Sequence, residues 1–252
     1  MAAGSTGSNA APTPSWSDLP ADLLIIVLER LEFPQALVFA SVCTAWRYAA
    51  AAAGVPRSSV PCFMSWADPA HEGYTARGGL AINCSLYSLL DINKAYEISF
   101  PRRCFVACCG ASHGWLVMVN ELSNLVLYNP FTTAAIDLPP ITDFSCVQAV
   151  YGDRGSLEHY IFAEAAVQET SYLGIWFYQK AVLSCSPSKG GDYVVMIIHR
   201  DSDWLSFVKA GQSKWTPVIT SSRGSRDHYV DCAYHYGRFY SITLYGMVDD
   251  VG

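Results

Sequence analysis

Nine cysteines have the widest chemical range in this 252-residue chain, and their spacing decides how much of that range is open. They stand at 43, 62, 84, 104, 108, 109, 146, 185 and 232. A structural zinc site needs ligand pairs a few residues apart, with a second pair further along. No Cys-x-x-Cys pair occurs, and no Cys/His group has that spacing. Cys104, Cys108 and Cys109 form the one cluster, read as reduced thiols buried in strands. The six histidines, at 71, 113, 159, 199, 228 and 235, have no partner at a spacing that fixes geometry. His228 and His235 lie seven apart on either side of a strand, which sends them to opposite faces. The paired acids Asp201/Asp203 and Asp249/Asp250 fall in predicted turns, where Asp is ordinary turn chemistry. No Gly-x-Ser-x-Gly elbow, P-loop or dinucleotide fingerprint occurs. The expectation is a non-catalytic protein with no metal and no cofactor.

Composition narrows the classes further. Apolar residues make up 51% and charged residues 15%, which favours a folded chain with a large core. The net charge of −6 divides as −2 over residues 15–53 and −4 elsewhere. Neither part has a basic field, which argues against nucleic acid as a partner. Residues 1–14 carry no charged side chain and read as a disordered tail. The first basic residue is Arg30, too late for a secretory signal, and no apolar stretch reaches the roughly 18 residues of a membrane span. Scattered, odd-numbered cysteines point to an intracellular chain, in cytoplasm and/or nucleus.

Residues 19–47 supply the strongest periodic signal. Pro20 suits the first helical turn and Asp22 meets the positive end of the helix dipole. Leu23, Leu24, Val27, Leu28 and Leu31 recur at helical period, with Ile25 and Ile26 widening the apolar surface. Pro34 ends this helix and opens a second through Ala36, Leu37 and Phe39. A third runs from about Ser41 to Ala53, carrying Val42, Cys43, Trp46 and Tyr48, and Gly54, Val55 and Pro56 stop it. So small a unit cannot bury its own apolar side chains and reads as half of an interface. A helical cap packed on the following domain is the alternative from pattern alone.

These residues resemble an F-box, whose usual form is LPxxLLxxILxxL, a short spacer and VCxxWR. The matching positions are Leu19, Pro20, Leu23, Leu24, Val27, Leu28 and Leu31, then Val42, Cys43, Trp46 and Arg47. Gln35 stands where an acidic residue is common, and Val38 where a basic one is. The resemblance implies docking onto a Skp-type adaptor and, through it, a cullin-RING ubiquitin ligase. Those eleven residues are the expected adaptor-binding or F-box core set, and periodicity alone does not divide contact from core.

After Pro56 the pattern changes to short β-rich runs: Trp115–Val119, Leu125–Tyr128, Tyr193–His199, Trp204–Val208, Val230–Tyr234 and Arg238–Leu244. Asn120–Asn124 and Arg200–Asp203 read as hairpin loops. Asn129-Pro130 marks a turn, with Ala134–Leu138 as the next strand. Leu157–Gln168 is the one plausible helix. Segment ends near 101, 140 and 218 recur at about one and two periods of 40 residues, the spacing of a propeller blade. Segment 180–219 fits a four-stranded blade best, and a β-sandwich is the alternative. Trp66, Trp115, Trp176, Trp204 and Trp215 are either core or an aromatic recognition surface.

The pieces HGWLVMV (113–119), LVLYNPFTTAAIDLPP (125–140), WLSFVKAGQSKWTPV (204–218) and DCAYHYGRFYSI (231–242) resemble the F-box-associated domain of a large plant family. The expected fold is a multidomain α+β chain: a three-helix F-box over 15–55, then a kelch-like, propeller-like β domain over 60–252. Four units and a fraction are counted, with the last unit lacking its closing strand and the β domain truncated at its C-terminus. The expected function is a substrate receptor that holds a target protein of unknown identity for ubiquitination, with no nucleic-acid or membrane partner. The alternatives are a glycan- or metabolite-binding propeller, or a chain that binds the adaptor but no substrate.

Overall fold

The computed structural model describes residues 15–31, 36, 39, 40, 42–53, 62–66, 83–89, 91–100, 105–130, 132–200, 204–218 and 228–251. The chain divides into two compact units, Met1–Ser59 and Val60–Gly252.

The first unit is helical. Ser15 caps a 3-10 turn at Trp16–Asp18: its hydroxyl accepts from the Ser17 N–H, and its own N–H donates to the Asp18 carboxylate. Helix α1 spans Ala21–Glu29, with Pro20 as its N-cap rather than inside the first turn. The Pro20 carbonyl accepts from the N–H groups of Leu23 and Leu24, both at 3.1 Å. Ala36, Phe39 and Ala40 are helical and buried. Helix α2 spans Thr44–Ala53, three residues later than the sequence predicts, because Cys43 breaks the helical run after Val42. Pro34 and Gly54–Pro56 lie outside the described residues. Small Ala49, Ala50 and Ala53 let α2 pack closely on α1 and on Phe39.

The described residues of the second unit form five antiparallel sheets. Sheet 1 comprises β1 (Cys62–Trp66), β2 (Asn83–Ser88) and β3 (Asp91–Ser99). Sheet 2 comprises β4 (Phe105–Ser112), β5 (Trp115–Asn120), β6 (Leu125–Tyr128) and β7 (Ala135–Asp137). Sheet 3 comprises β8 (Val147–Tyr151), β9 (Leu157–Phe162) and β10 (Ala166–Gln168). A short helix, α3 (Leu173–Phe177), leads into sheet 4: β11 (Tyr178–Leu183), β12 (Val194–His199), β13 (Trp204–Lys209) and β14 (Thr216–Pro217). Sheet 5 comprises β15 (Tyr229–His235), β16 (Arg238–Thr243) and β17 (Val248–Val251).

Sheets buried on both faces explain the continuous apolar runs. One row of sheet 4, with Val195, Ile197 and Val208, joins a core shared with sheets 2 and 3. The opposite row, Met196, Ile198 and Leu205, packs on Tyr229, Cys232 and Phe239 of sheet 5. Strands β5 and β6 are buried on both faces likewise. On the far side of sheet 2, Phe100, Phe105 and Tyr128 meet edge to face at 5.2–5.4 Å. Face-to-face stacking of small antiparallel sheets is propeller-like packing.

The blade expected over 180–219 is present as sheet 4. Two expectations fail. Leu157–Gln168 is a hairpin of β9 and β10, not a helix: Ala163 and Glu164 both take positive φ, at 51° and 66°, and reverse the chain. Where four units and a fraction are expected, the described residues form five sheets, the last with three strands. Asp249 and Asp250 lie in strand β17, where Asp250 pairs with Arg238 of β16, rather than in a turn. Asp201 and Asp203 lie outside the described residues.

Candidate functional site

Helix α1 separates its apolar residues into two stripes. At about 100° per residue, Leu24 and Leu28 fall on one side and Leu23, Ile26 and Val27 on the side next to it. The first stripe is core: Leu24 is 1% exposed and Leu28 5%. The second is open: Leu23 is 47%, Ile26 49% and Val27 41% exposed. Water thus meets three branched aliphatic side chains in a row along one helix, a costly arrangement for a lone domain.

The other motif residues divide in the same way. Leu19, Leu31 and Trp46 are partly buried against the helical core. Trp46 lies 4.4 Å from the Phe39 ring, and its indole N–H donates to the Trp16 carbonyl at 3.0 Å, tying the N-terminal turn to α2. Val42 is exposed, as are Pro20 and Arg47, and Cys43 is half-buried. A hydrogen bond from the Trp46 backbone draws the Cys43 thiol below its usual range. The structure thereby brings Leu23, Val27 and Val42 to the surface and keeps Leu24, Leu28 and Trp46 inside. Ile26 belongs to the open stripe, although the motif omits it; its i+3 spacing from Leu23 was the available signal.

Among the described residues the second unit offers little reactive chemistry. Cys108, Cys109 and Cys232 line a cleft of about 470 Å³ where β4, β11 and β15 meet. Burial pushes Cys108 up to about 11 and Cys232 up to about 12, and holds Cys109 well above the ordinary thiol value. Such thiols stay protonated and are poor nucleophiles near neutral pH. Lys180 in the same cleft is held by Asp231 at 2.9 Å. Among the described residues no group of three or more His, Cys, Asp or Glu side chains could hold a metal ion. His199 is buried beside Phe144 and Phe177, with Nε2 at 2.9 Å from the Ser206 hydroxyl. Burial, reinforced by the Arg200 cation, draws it down to about 3, so it is neutral. His228 and His235 are exposed.

The four tryptophans of the second unit whose side chains are described divide into two pairs. Trp115 and Trp215 are core, with indole N–H groups donating to the Ser188 hydroxyl and the Pro139 carbonyl. Trp176 and Trp204 are half-buried at a rim described below. No helix among the described residues is long and apolar enough to cross a membrane.

Helical motif and stacked sheets together define an F-box protein with a β-propeller-type domain. The F-box domain model matches residues 16–52, and the KIB1-4 beta-propeller model matches residues 86–251, about two-thirds of the chain. The chain belongs to the KIB1-4 beta-propeller family and carries an F-box at its N-terminal side. It is 23% identical over 246 residues to the F-box protein At1g10110 of Arabidopsis thaliana, covering 94% of this chain and 55% of that protein. It is 33% identical over 129 residues to At4g22170 of the same plant, also named for an F-box, covering 50% of this chain and 34% of that protein. The chain thus spans about a third to a half of the length of these curated relatives. The crystal structure of BBS1N in complex with ARL6DN matches at 12% identity over 68% of this chain and 46% of that one, with a TM-score of 0.25 that carries no structural argument.

Proposed function

We propose that this chain is the substrate receptor of a Skp–cullin–F-box ubiquitin ligase. The helical unit over 15–55 docks onto a Skp-type adaptor, and the β domain over 60–252 holds a target protein for ubiquitin transfer. The observation that carries this is the open stripe of Leu23, Ile26 and Val27 on a helix whose other stripe is already buried. F-box domains generally bind Skp-type adaptors, and an exposed aliphatic stripe is the surface such an adaptor would cover. Val42 adds a further exposed aliphatic side chain from the same motif. Leu24, Leu28 and Trp46 act indirectly, by holding α1 in place.

The receptor itself performs no bond-making step. It raises the local concentration of a target beside the ligase, which is an effective-molarity contribution. The buried, protonated thiols and the neutral His199 agree with a scaffold of this kind, acting inside the cell.

Affinity capture of the tagged chain from plant cells, with cullin activation and the proteasome blocked, tests this reading. A Skp-type adaptor and a cullin should co-purify in near-stoichiometric amounts. Capture of a folded chain without any adaptor would overturn it.

A further inference from the structure

A second exposed apolar surface lies in the β domain, built on α3. Its buried side is pressed hard onto sheet 2. A Cβ added at Gly174 would stand 2.6 Å from the Val119 side chain and 3.0 Å from Ser123, so only glycine fits there. Ser123 is fully buried; its hydroxyl accepts from the Gly174 N–H at 2.7 Å and donates to the Thr170 carbonyl at 2.5 Å. Leu173 and Phe177 enter the core on the same side. This short helix is therefore a fixed platform.

Its outward side is apolar. Tyr172 and Ile175 are 56% and 42% exposed, and Trp176 lies beside them, 4.9 Å from the Phe162 ring. Arg200 extends the surface, its guanidinium 5.7 Å from Phe162 and 5.9 Å from Trp204. Trp, Tyr and Arg on a rigid support are the side chains from which binding hot spots are made.

Charge at this rim has one sign in excess. Glu164 and Glu169 stand there against Arg200, while Asp153, Arg154 and Glu158 lie at the opposite end of β9, where Tyr151 pairs with Leu157. Glu164 and Glu169 flank the aromatic group. Glu169 supplies the carbonyl that accepts from the Tyr172 N–H, and Glu164 stands two residues from Phe162. Glu164 and Ala163 both hold left-handed backbone, φ 66° and 51°, where a glycine or asparagine is usual.

From this we infer that the rim formed by Phe162, Tyr172, Ile175, Trp176, Arg200 and Trp204, with Glu164 and Glu169 at its edge, is a docking surface for a polypeptide target. The segment it fits has apolar side chains beside lysine or arginine. This rests on the reading of the β domain as the part that holds the target. The apolar residues cover Tyr172, Ile175 and Trp176, and the basic ones meet Glu164 and Glu169.

Three fluorescein-labelled peptides of equal length test it by anisotropy on the full chain: Leu/Lys, Leu/Glu and Ser/Lys. The Leu/Lys peptide should bind at least tenfold tighter than either other. Glu164→Lys should weaken it about tenfold with thermal unfolding and adaptor capture unchanged, and Trp176→Ala about tenfold in a chain that still unfolds cooperatively and still captures the adaptor. Equal binding of Leu/Glu, no binding of any peptide, or indifference to both substitutions overturns the inference. So does self-association of the chain that Trp176→Ala abolishes, which would make a second copy the occupant. Loss of adaptor capture in the unaltered chain refutes the receptor reading instead, whatever the peptides do.

Discussion

Two helices, α1 in the first unit and α3 in the second, each bury one apolar side and present another, and they differ in what fixes the buried side. In α1 it is a stripe of leucines packed on alanines and Phe39, set by helical spacing alone. In α3 it is a glycine contact and the buried Ser123 hydroxyl, both supplied by sheet 2. A docking face can therefore be written locally, in the period of the sequence, or tertiarily, by what the rest of the fold clamps. The first kind survives as a motif; the second leaves almost no trace in the chain's own pattern.

Substitutions should separate the two sides of each helix. The largest effect is expected at Leu24→Ala, which removes a fully buried side chain from a small core and should cost about 2–5 kcal/mol. Urea denaturation followed by far-UV circular dichroism measures it. A loss no greater than that of Leu23→Ala would break the two-stripe description.

Acid should act on the second unit through His199. Its value in the folded chain, about 3, is below the unfolded value near 6.5, so the unfolded chain takes up the proton first. Stability should then fall as pH drops from about 6.5 towards 3, by at most about 1.4 kcal/mol per pH unit. Denaturation curves at pH 7 and pH 4 should show it, and His199→Phe should flatten the slope. An unchanged slope in that variant would mean other groups carry the acid response.

Gly174→Ala sharpens the comparison at α3. Forcing a methyl group against Val119 and Ser123 should cost about 1–3 kcal/mol, whereas alanine is ordinarily the better helix former. A stabilised variant would show that α3 is not clamped. The smallest effect belongs to the open side: Ile175→Ser should shift stability by less than about 0.5 kcal/mol.

Legibility followed the same division. The LPxxLL spacing and the VCxxWR ending were readable because helix period and motif coincide over residues 19–47. Which leucines face inward was not, since the apolar positions cover most of the helix surface and only the packing partners choose among them. Strands β5, β6, β12 and β13 were legible as apolar runs bounded by turns. The β9–β10 hairpin was not: Ala163, Glu164, Ala165 and Ala166 are helix-favouring residues, and the turn they make uses left-handed backbone without glycine. Helix α3 was missed because five aromatic-rich residues have no period long enough to read. Trp115 and Trp215 could be told from Trp176 and Trp204 only once the sheets were stacked.

The central claim is that Leu23, Ile26 and Val27 form the adaptor-docking stripe while Leu24 and Leu28 hold the fold. Calorimetric titration of a Skp-type adaptor with the Leu23→Ala, Val27→Ala double variant tests it most directly. Both side chains are about half exposed in the free chain, so covering them should contribute about 2–3 kcal/mol together, roughly 30–150-fold in Kd. The expected result is that loss of affinity in a protein whose helical signal and unfolding midpoint match the parent. An unchanged Kd in the folded double variant would contradict the claim.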